Sequence, residues 1–156
     1  MKNDRRSERQ EEAGRKAAMA TLAAAPALVL ADLWAAAELP EDAQPVRGPE
    51  TGLVTIRGRI GGGGAPFNVG EATVTRATVK LPTGEVGHAY ALGRDRDKAR
   101  LSAIADALWQ DPKRRELVES RLLAPLRAML ADADRRRREE TAATKVDFFT
   151  MVRGED

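Results

Sequence analysis

At 156 residues, with 26 Lys and Arg against 24 Asp and Glu, the chain carries a formal charge of only +2, which gives no electrostatic reason to expect nucleic acid as a partner. The absence of cysteine excludes disulfides, thiolate zinc sites and iron–sulfur ligation by this chain, and is compatible with a reducing compartment. Hydrophobic residues reach 42% but aromatic ones only 4%, so a single domain with a thin core of small side chains is expected, one that benefits from a partner.

Residues 5–24 are good helix formers, and Ala13, Ala17, Ala20 and Ala24 recur at helical spacing, which predicts a first helix with Arg and Glu left to water. Pro26 suits the opening turn of a second helix, whose Leu30, Leu33, Trp34 and Ala37 follow the i, i+3, i+4, i+7 pattern; the two are expected to form an antiparallel hairpin. The apolar run from Ala17 to Ala31 is interrupted by Pro26, ends at Asp32 and is too short to span a bilayer, so it reads as buried helix in a cytoplasmic protein that has no membrane partner. Three prolines between Pro40 and Pro49 read as a linker.

From Leu53 to Ile60 the chain alternates, with Val54, Ile56, Gly58 and Ile60 on one side and Thr55, Arg57 and Arg59 on the other, as a half-buried strand does. The glycine run Gly61 to Gly64 follows. Ala72 to Leu81 is rich in Thr and Val and reads as a second strand, Leu81 to Gly84 as a turn, and Glu85 to Gly93 as a third strand. One face of that third strand is Gly87, Ala89, Ala91 and Gly93, small enough to let a helix come close. Asp95 or Asp97 can cap a helix buried through Leu101, Ile104, Ala105 and Leu108. Asp111 and Pro112 then read as N-cap and first residue of the next helix, which ends or kinks before Pro125 and continues an apolar face through Leu126, Met129 and Leu130. The fold class is α+β: a small antiparallel meander of about three strands, with the N-terminal helical hairpin and the C-terminal helices packed on it. One domain spans 1–156, divided into hairpin (1–39), sheet (50–93), helices (94–142) and a docking tail (143–156).

Four consecutive glycines require a reason, such as positive φ, close backbone approach or amides facing an anion. Neither a Walker loop nor a dinucleotide fingerprint fits, because no Lys follows and the segment lies between strands. A tight connector and an amide anion site both remain open. Arg57, Arg59 and Arg76 can converge on one face, with Arg94 at the end of the third strand, to hold a polyphosphate; ion pairing with Glu71 or Glu85 is the plainer alternative. The candidates for contact with phosphate or a subunit are therefore Arg59, Gly61, Gly62, Gly64, Asn68, Glu71 and Arg76.

His88 is the single histidine, so this chain alone builds neither a histidine pair for metal nor a triad; no catalytic residue and no metal site are expected. Phe148, Phe149, Met151 and Val152 lie beyond a charged helix near the C-terminus. Each buried ring is worth about 1.5–3 kcal/mol, so these residues are expected to dock, on this chain's own sheet or on a partner; Phe148, Phe149, Met151 and Arg153 are the partner-binding candidates.

Glu50-Thr-Gly-Leu-Val54, the segment from Arg59 to Leu81 with its Gly-Glu71 and Thr-Arg76, Leu92-Gly-Arg-Asp95, Asp106-Ala-Leu108 and Val146-Asp-Phe-Phe-Thr-Met-Val-Arg-Gly154 together resemble the PhnG family, subunits of the bacterial carbon–phosphorus lyase system. The likeness covers about residues 50–110 and the tail, and is weak before residue 45. The chain departs from the family at Gly63, where Thr is frequent, and at Ala77, where Cys is frequent, so no thiol role carries over. The resemblance implies a hetero-oligomeric core with PhnH, PhnI and PhnJ. It also implies that, with PhnH, PhnI and an associating PhnL, the subunit supports displacement of adenine from ATP by a phosphonate to give a ribose 1-phosphonate 5-triphosphate. Nucleosidase-like chemistry is associated with PhnI and radical cleavage with PhnJ, so this chain is expected to be a non-catalytic or site-completing subunit that binds no cofactor alone, with ATP as substrate of the complex. A free-standing module for a phosphorylated ligand is the alternative; nucleic-acid binding ranks below both.

Overall fold

The computed structural model describes residues 4–61 and 63–144. Helices α1 (Asp4–Ala24) and α2 (Ala27–Ala37) precede a meander of β1 (Gln44–Arg59), β2 (Pro66–Lys80) and β3 (Val86–Leu92), after which come α3 (Arg96–Gln110), α4 (Pro112–Val118), a π turn (Glu119–Leu123) and α5 (Ala124–Ala143). The three strands form one antiparallel sheet in sequence order, so the α+β meander read from the sequence is the fold.

Alternation along β2 and β3 divides the sheet into two faces. Thr75, Ala77, Val79, Gly87, Ala89 and Ala91 face inward and are buried. α3 lies on them, and the small face predicted for β3 is what admits it: a Cβ at Gly87 would sit 2.0 Å from the Ala103 carbonyl oxygen. Asp95 caps α3 by accepting from the Lys98 amide at 2.7 Å, and Asp111 caps α4 by accepting from the Lys113 amide at 2.9 Å. α3 is buried along most of its length, including Leu101, Ile104, Ala105 and Leu108, and anchors a core shared with Leu30, Trp34, Leu81, Val118, Leu122, Leu123 and Leu126.

Three sequence expectations change. First, α1 buries Ala18, Thr21 and Leu22, with Ala25 buried just beyond its end, and leaves Ala13, Ala17, Ala20 and Ala24 exposed. Both sets obey helical spacing, and the side that carries Leu22 and the helix-to-helix junction is the one that packs. Second, α1 and α2 turn through 118° at their break, short of the full reversal of an antiparallel hairpin, because α2 is drawn onto α3 and the π turn. Among the described residues no single helix is long and apolar enough to cross a membrane; this bent pair passes that test only jointly. Third, the proline-rich stretch before Glu50 is not wholly linker: Gln44 to Pro49 belongs to β1, with register shifts between Pro45 and Arg47 and between Arg47 and Glu50. An edge strand tolerates proline, since its outward amides have no ladder partner to lose.

The helix after Asp111 gives way to the π turn at Glu119, where the Ala124 amide donates to the Glu119 carbonyl, and Pro125 falls in the first turn of α5. Burial alone would raise the Glu119 carboxyl. Hydrogen bonds from Arg127 (2.6 Å) and the Trp109 indole (2.6 Å), with the charges of Arg127 and Arg115, outweigh it and hold the carboxyl below its usual range.

Candidate functional site

Beyond the Val74–Leu92 pair, β3 stops, while β1 and β2 continue as a two-stranded arm from Leu53 opposite Thr73 to Arg59 opposite Pro66. Paired residues share a face, so the register sorts the side chains. Val54, Ile56, Gly58 and Ile60 share one face with Phe67, Val69 and Ala72, while Thr55, Arg57, Arg59, Asn68 and Glu71 take the other. A shift between Ile56 and Arg57 accommodates one extra residue on β2, and Val69 folds over Gly58, where its Cγ2 would be 2.6 Å from an added Cβ.

The half-buried strand expected from Leu53 to Ile60 thus has its two sides sorted as read, but the core is not beneath it. The helices cover only the base of the sheet, so Ile56 (46% exposed), Ile60 (75%), Phe67 (43%) and Val69 (60%) face solvent. The apolar face is continuous with the outer face of the sheet, where Tyr90 (53%) and Leu92 (74%) are also exposed. A groove of about 150 Å³ beside Gly52, Val54, Val74 and Tyr90 joins the two regions, with the Glu50–Arg76 ion pair at its edge. A two-stranded ribbon alone is marginal in water, and apolar surface this extensive marks a contact surface.

The arginine cluster does not assemble. Arg76 lies at the base, 3.3 Å from Glu50, which Arg47 also approaches at 3.7 Å, whereas Arg59 is at the tip, donating to the Gly64 carbonyl at 3.3 Å. Nine residue steps along β1 take Glu50 to Arg59, a span of about 30 Å at strand rise. Arg57, Arg59 and Arg76 therefore do not grip one phosphate. The tip is a tight turn: the Gly63 amide donates to Gly61 at 2.8 Å and the Gly64 amide to Ile60 at 3.2 Å, which turns both away from any anion. Gly61 has a φ of 62°, and a Cβ at Gly64 would lie 2.7 Å from the Ile60 carbonyl oxygen, so two of the glycines meet a backbone requirement. Asn68 stands opposite Arg57 and Glu71 opposite Thr55, both exposed on the polar face. Gly62 and the tail candidates Phe148, Phe149, Met151 and Arg153 lie outside the described residues.

His88 is exposed, its Nδ1 3.2 Å from the Thr78 hydroxyl. Its backbone amide donates at 2.9 Å to Asp106, a carboxylate with no exposed side-chain surface that also accepts from Arg15 Nε (2.9 Å) and Nη2 (2.8 Å). The Arg15–Asp106 hydrogen bonding, with the coulombic attraction of Asp106, raises the Arg15 guanidinium above its usual value despite partial burial. Neither Arg15 nor Asp106 was singled out for this role by pattern. The available signal was an acid one turn beyond Ser102 on the buried side of α3. Among the described residues no group of three or more His, Asp or Glu is placed to hold a metal ion.

The family model described as phosphonate metabolism protein PhnG matches residues 13–154, a wider span than the blocks of motif resemblance. Over 144 residues, 92% of each chain, the sequence is 58% identical to the alpha-D-ribose 1-methylphosphonate 5-triphosphate synthase subunit PhnG of Rhizobium meliloti (strain 1021).

Proposed function

The chain belongs to the PhnG family of phosphonate metabolism proteins, and from that premise we propose that it is a site-completing, non-catalytic subunit of a cytoplasmic ribose 1-phosphonate 5-triphosphate synthase. In the reaction a phosphonate oxygen bonds to the ribose C1′ of ATP as the bond to adenine breaks, and adenine leaves. Sister subunits PhnH, PhnI and PhnL share that step, with PhnJ in the same core, and the nucleosidase-like PhnI is the surface this chain covers. The carrying observation is the bare apolar face of the arm, Ile56, Ile60, Phe67 and Val69, on a fold whose own helices stop short of it. Leaving four such side chains in water forgoes several kcal/mol, at about 1.5–3 kcal/mol for each fully buried. The tail residues Phe148, Phe149, Met151 and Arg153 add a second anchor; Asn68, Glu71 and the glycine tip of the arm meet subunit backbone, and Arg59 meets subunit backbone or a neighbouring phosphate.

Co-expression of the full chain with these sister subunits, followed by mass measurement and assay of adenine release from ATP and methylphosphonate, tests this reading. Ile60→Glu with Phe67→Glu is expected to abolish both assembly and adenine release while the isolated chain still folds. Retention of both would refute the role of the face, and unchanged association after truncation beyond Thr144 would refute the tail anchor.

A further inference from the structure

The two edges of the sheet are treated differently. In an antiparallel ladder, alternate residues turn their N–H and C=O groups toward one neighbour and the residues between them turn away. The Gly93 amide donates to Thr73 at 2.9 Å and the Leu81 amide to Glu85 at 2.9 Å, which sets the odd-numbered residues of β3 and this part of β2 toward each other. The outward groups of β3 are then those of its even-numbered residues, and two of them are closed from within: the His88 amide donates to Asp106 at 2.9 Å, and the Val86 carbonyl accepts from the Gln110 amide nitrogen at 2.8 Å.

By the same alternation β1 bonds β2 through Glu50, Gly52 and Val54, so Thr51, Leu53 and Thr55 direct their backbone groups away from the sheet. All three are exposed. On either side the edge is guarded by devices that discourage pairing: Pro45, Pro49 and two register shifts toward the base, and the shift at Ile56 followed by Arg57 and Arg59 toward the tip. Between them, Gly52-Leu-Val-Thr-Ile56 has no charge and no proline. An apolar, unguarded edge is a template for another strand.

We propose that this segment of β1 receives an extended strand from another subunit of the assembly, antiparallel to β1 or parallel with it. The strand is apolar at alternate positions, where it prolongs the face of Val54 and Ile56, and acidic at the end beside Arg57 and Arg59. A second copy of this chain fits poorly. Two-fold pairing about Leu53 sets Arg57 of one copy against Pro49 of the other, which has no N–H, and Arg59 against Arg47, a like-charge pair. The inference rests on the subunit reading above and specifies how the arm is held.

The test compares amide exchange of the labelled full chain alone with that of the assembly formed with the sister subunits proposed above. The amides of Thr51, Leu53 and Thr55 are expected to exchange freely in the isolated chain and to slow by roughly tenfold or more in the assembly. Leu53→Pro removes an outward donor but no bond to β2, so it is expected to leave the melting curve of the isolated chain near that of the parent and to lose co-purification. Thr55→Pro serves as a second variant if the first fails to fold. Loss of assembly in the Ile60→Glu and Phe67→Glu variant with full assembly in Leu53→Pro would overturn strand addition and leave the face reading standing; assembly unaffected by either would overturn both. Protection of these amides in a sedimenting dimer of the isolated chain would assign the edge to a second copy. Protection in the isolated monomer, lost on truncation beyond Thr144, would assign it to the chain's own tail. Either result would displace the proposal.

Discussion

Replacing Gly87 by alanine tests the contact that holds the helical layer to the sheet. The added Cβ would lie 2.0 Å from the Ala103 carbonyl oxygen, 2.5 Å from the Ala107 nitrogen and 2.8 Å from the Ala107 Cβ. The nearest obstacles are helix backbone, which no rotamer change relieves, so α3 must retreat by about 1.4 Å to restore ordinary contact. That retreat weakens the packing of Ala103 and Ala107 against Gly87, Ala89 and Ala91, all buried. Overpacking of this kind costs about 1–3 kcal/mol, and a rigid obstacle puts the cost at the upper end. Loss of glycine's freedom in the unfolded chain offsets about 0.4–1 kcal/mol. A net destabilisation of about 2 kcal/mol is expected, read in urea as a midpoint lowered by about 1 M at an unchanged slope. An unchanged or raised midpoint would mean that α3 does not approach β3 this closely, and the assignment of the sheet's two faces would fall with it.

Asp106→Ala leaves the His88 amide without its acceptor and Arg15 without its carboxylate; because the Arg15 side chain is 32% exposed and regains water, the cost is expected at about 2–3 kcal/mol rather than that of a fully buried pair. Thermal melts of Asp106→Ala and Asp106→Asn check this, the amide variant recovering part of the loss by still accepting from His88. Glu119 has its carboxyl depressed in the folded chain, so its contribution is present above the unfolded value and lost as pH falls through the folded one. Stability measured from neutral to acid pH is therefore expected to fall less steeply in Glu119→Gln than in the parent; parallel acid limbs would sink the assignment.

What the sequence showed most clearly were features governed by neighbours along the chain. Asp95 and Asp111 sit where a cap is wanted, and the small residues of β3 announce a close neighbour on one side. The buried side of α1 was harder, because a helix this rich in alanine offers two stripes of nearly equal hydropathy, and only the tertiary contacts of Leu22 and Ala18 select one. Proline between Pro40 and Pro49 signalled a loop for the ordinary reason, yet an edge strand has no inward demand on those amides. The sides of the arm were legible by alternation, but burial was inferred from apolarity alone. Alternation gives the direction of a side chain and says nothing of whether this chain or another lies there. The arginines illustrate the same limit: similar spacing on neighbouring strands did not reveal that the hairpin register carries Arg59 and Arg76 to opposite ends.

The π turn at Glu119–Leu123 amounts to one residue more than an α-helix would need to cover the same path. Wound as ordinary α-helix with the same residues, the segment would rotate everything downstream by about 100°. Leu126, now fully enclosed, would swing toward water, and Arg127 would leave the carboxylate of Glu119. The orientation of the last helix is in this sense a matter of counting: the extra residue between Val118 and Pro125 is absorbed by the wide turn, so deleting one exposed residue there, which exchanges the wide turn for ordinary winding, is expected to be better tolerated than inserting another.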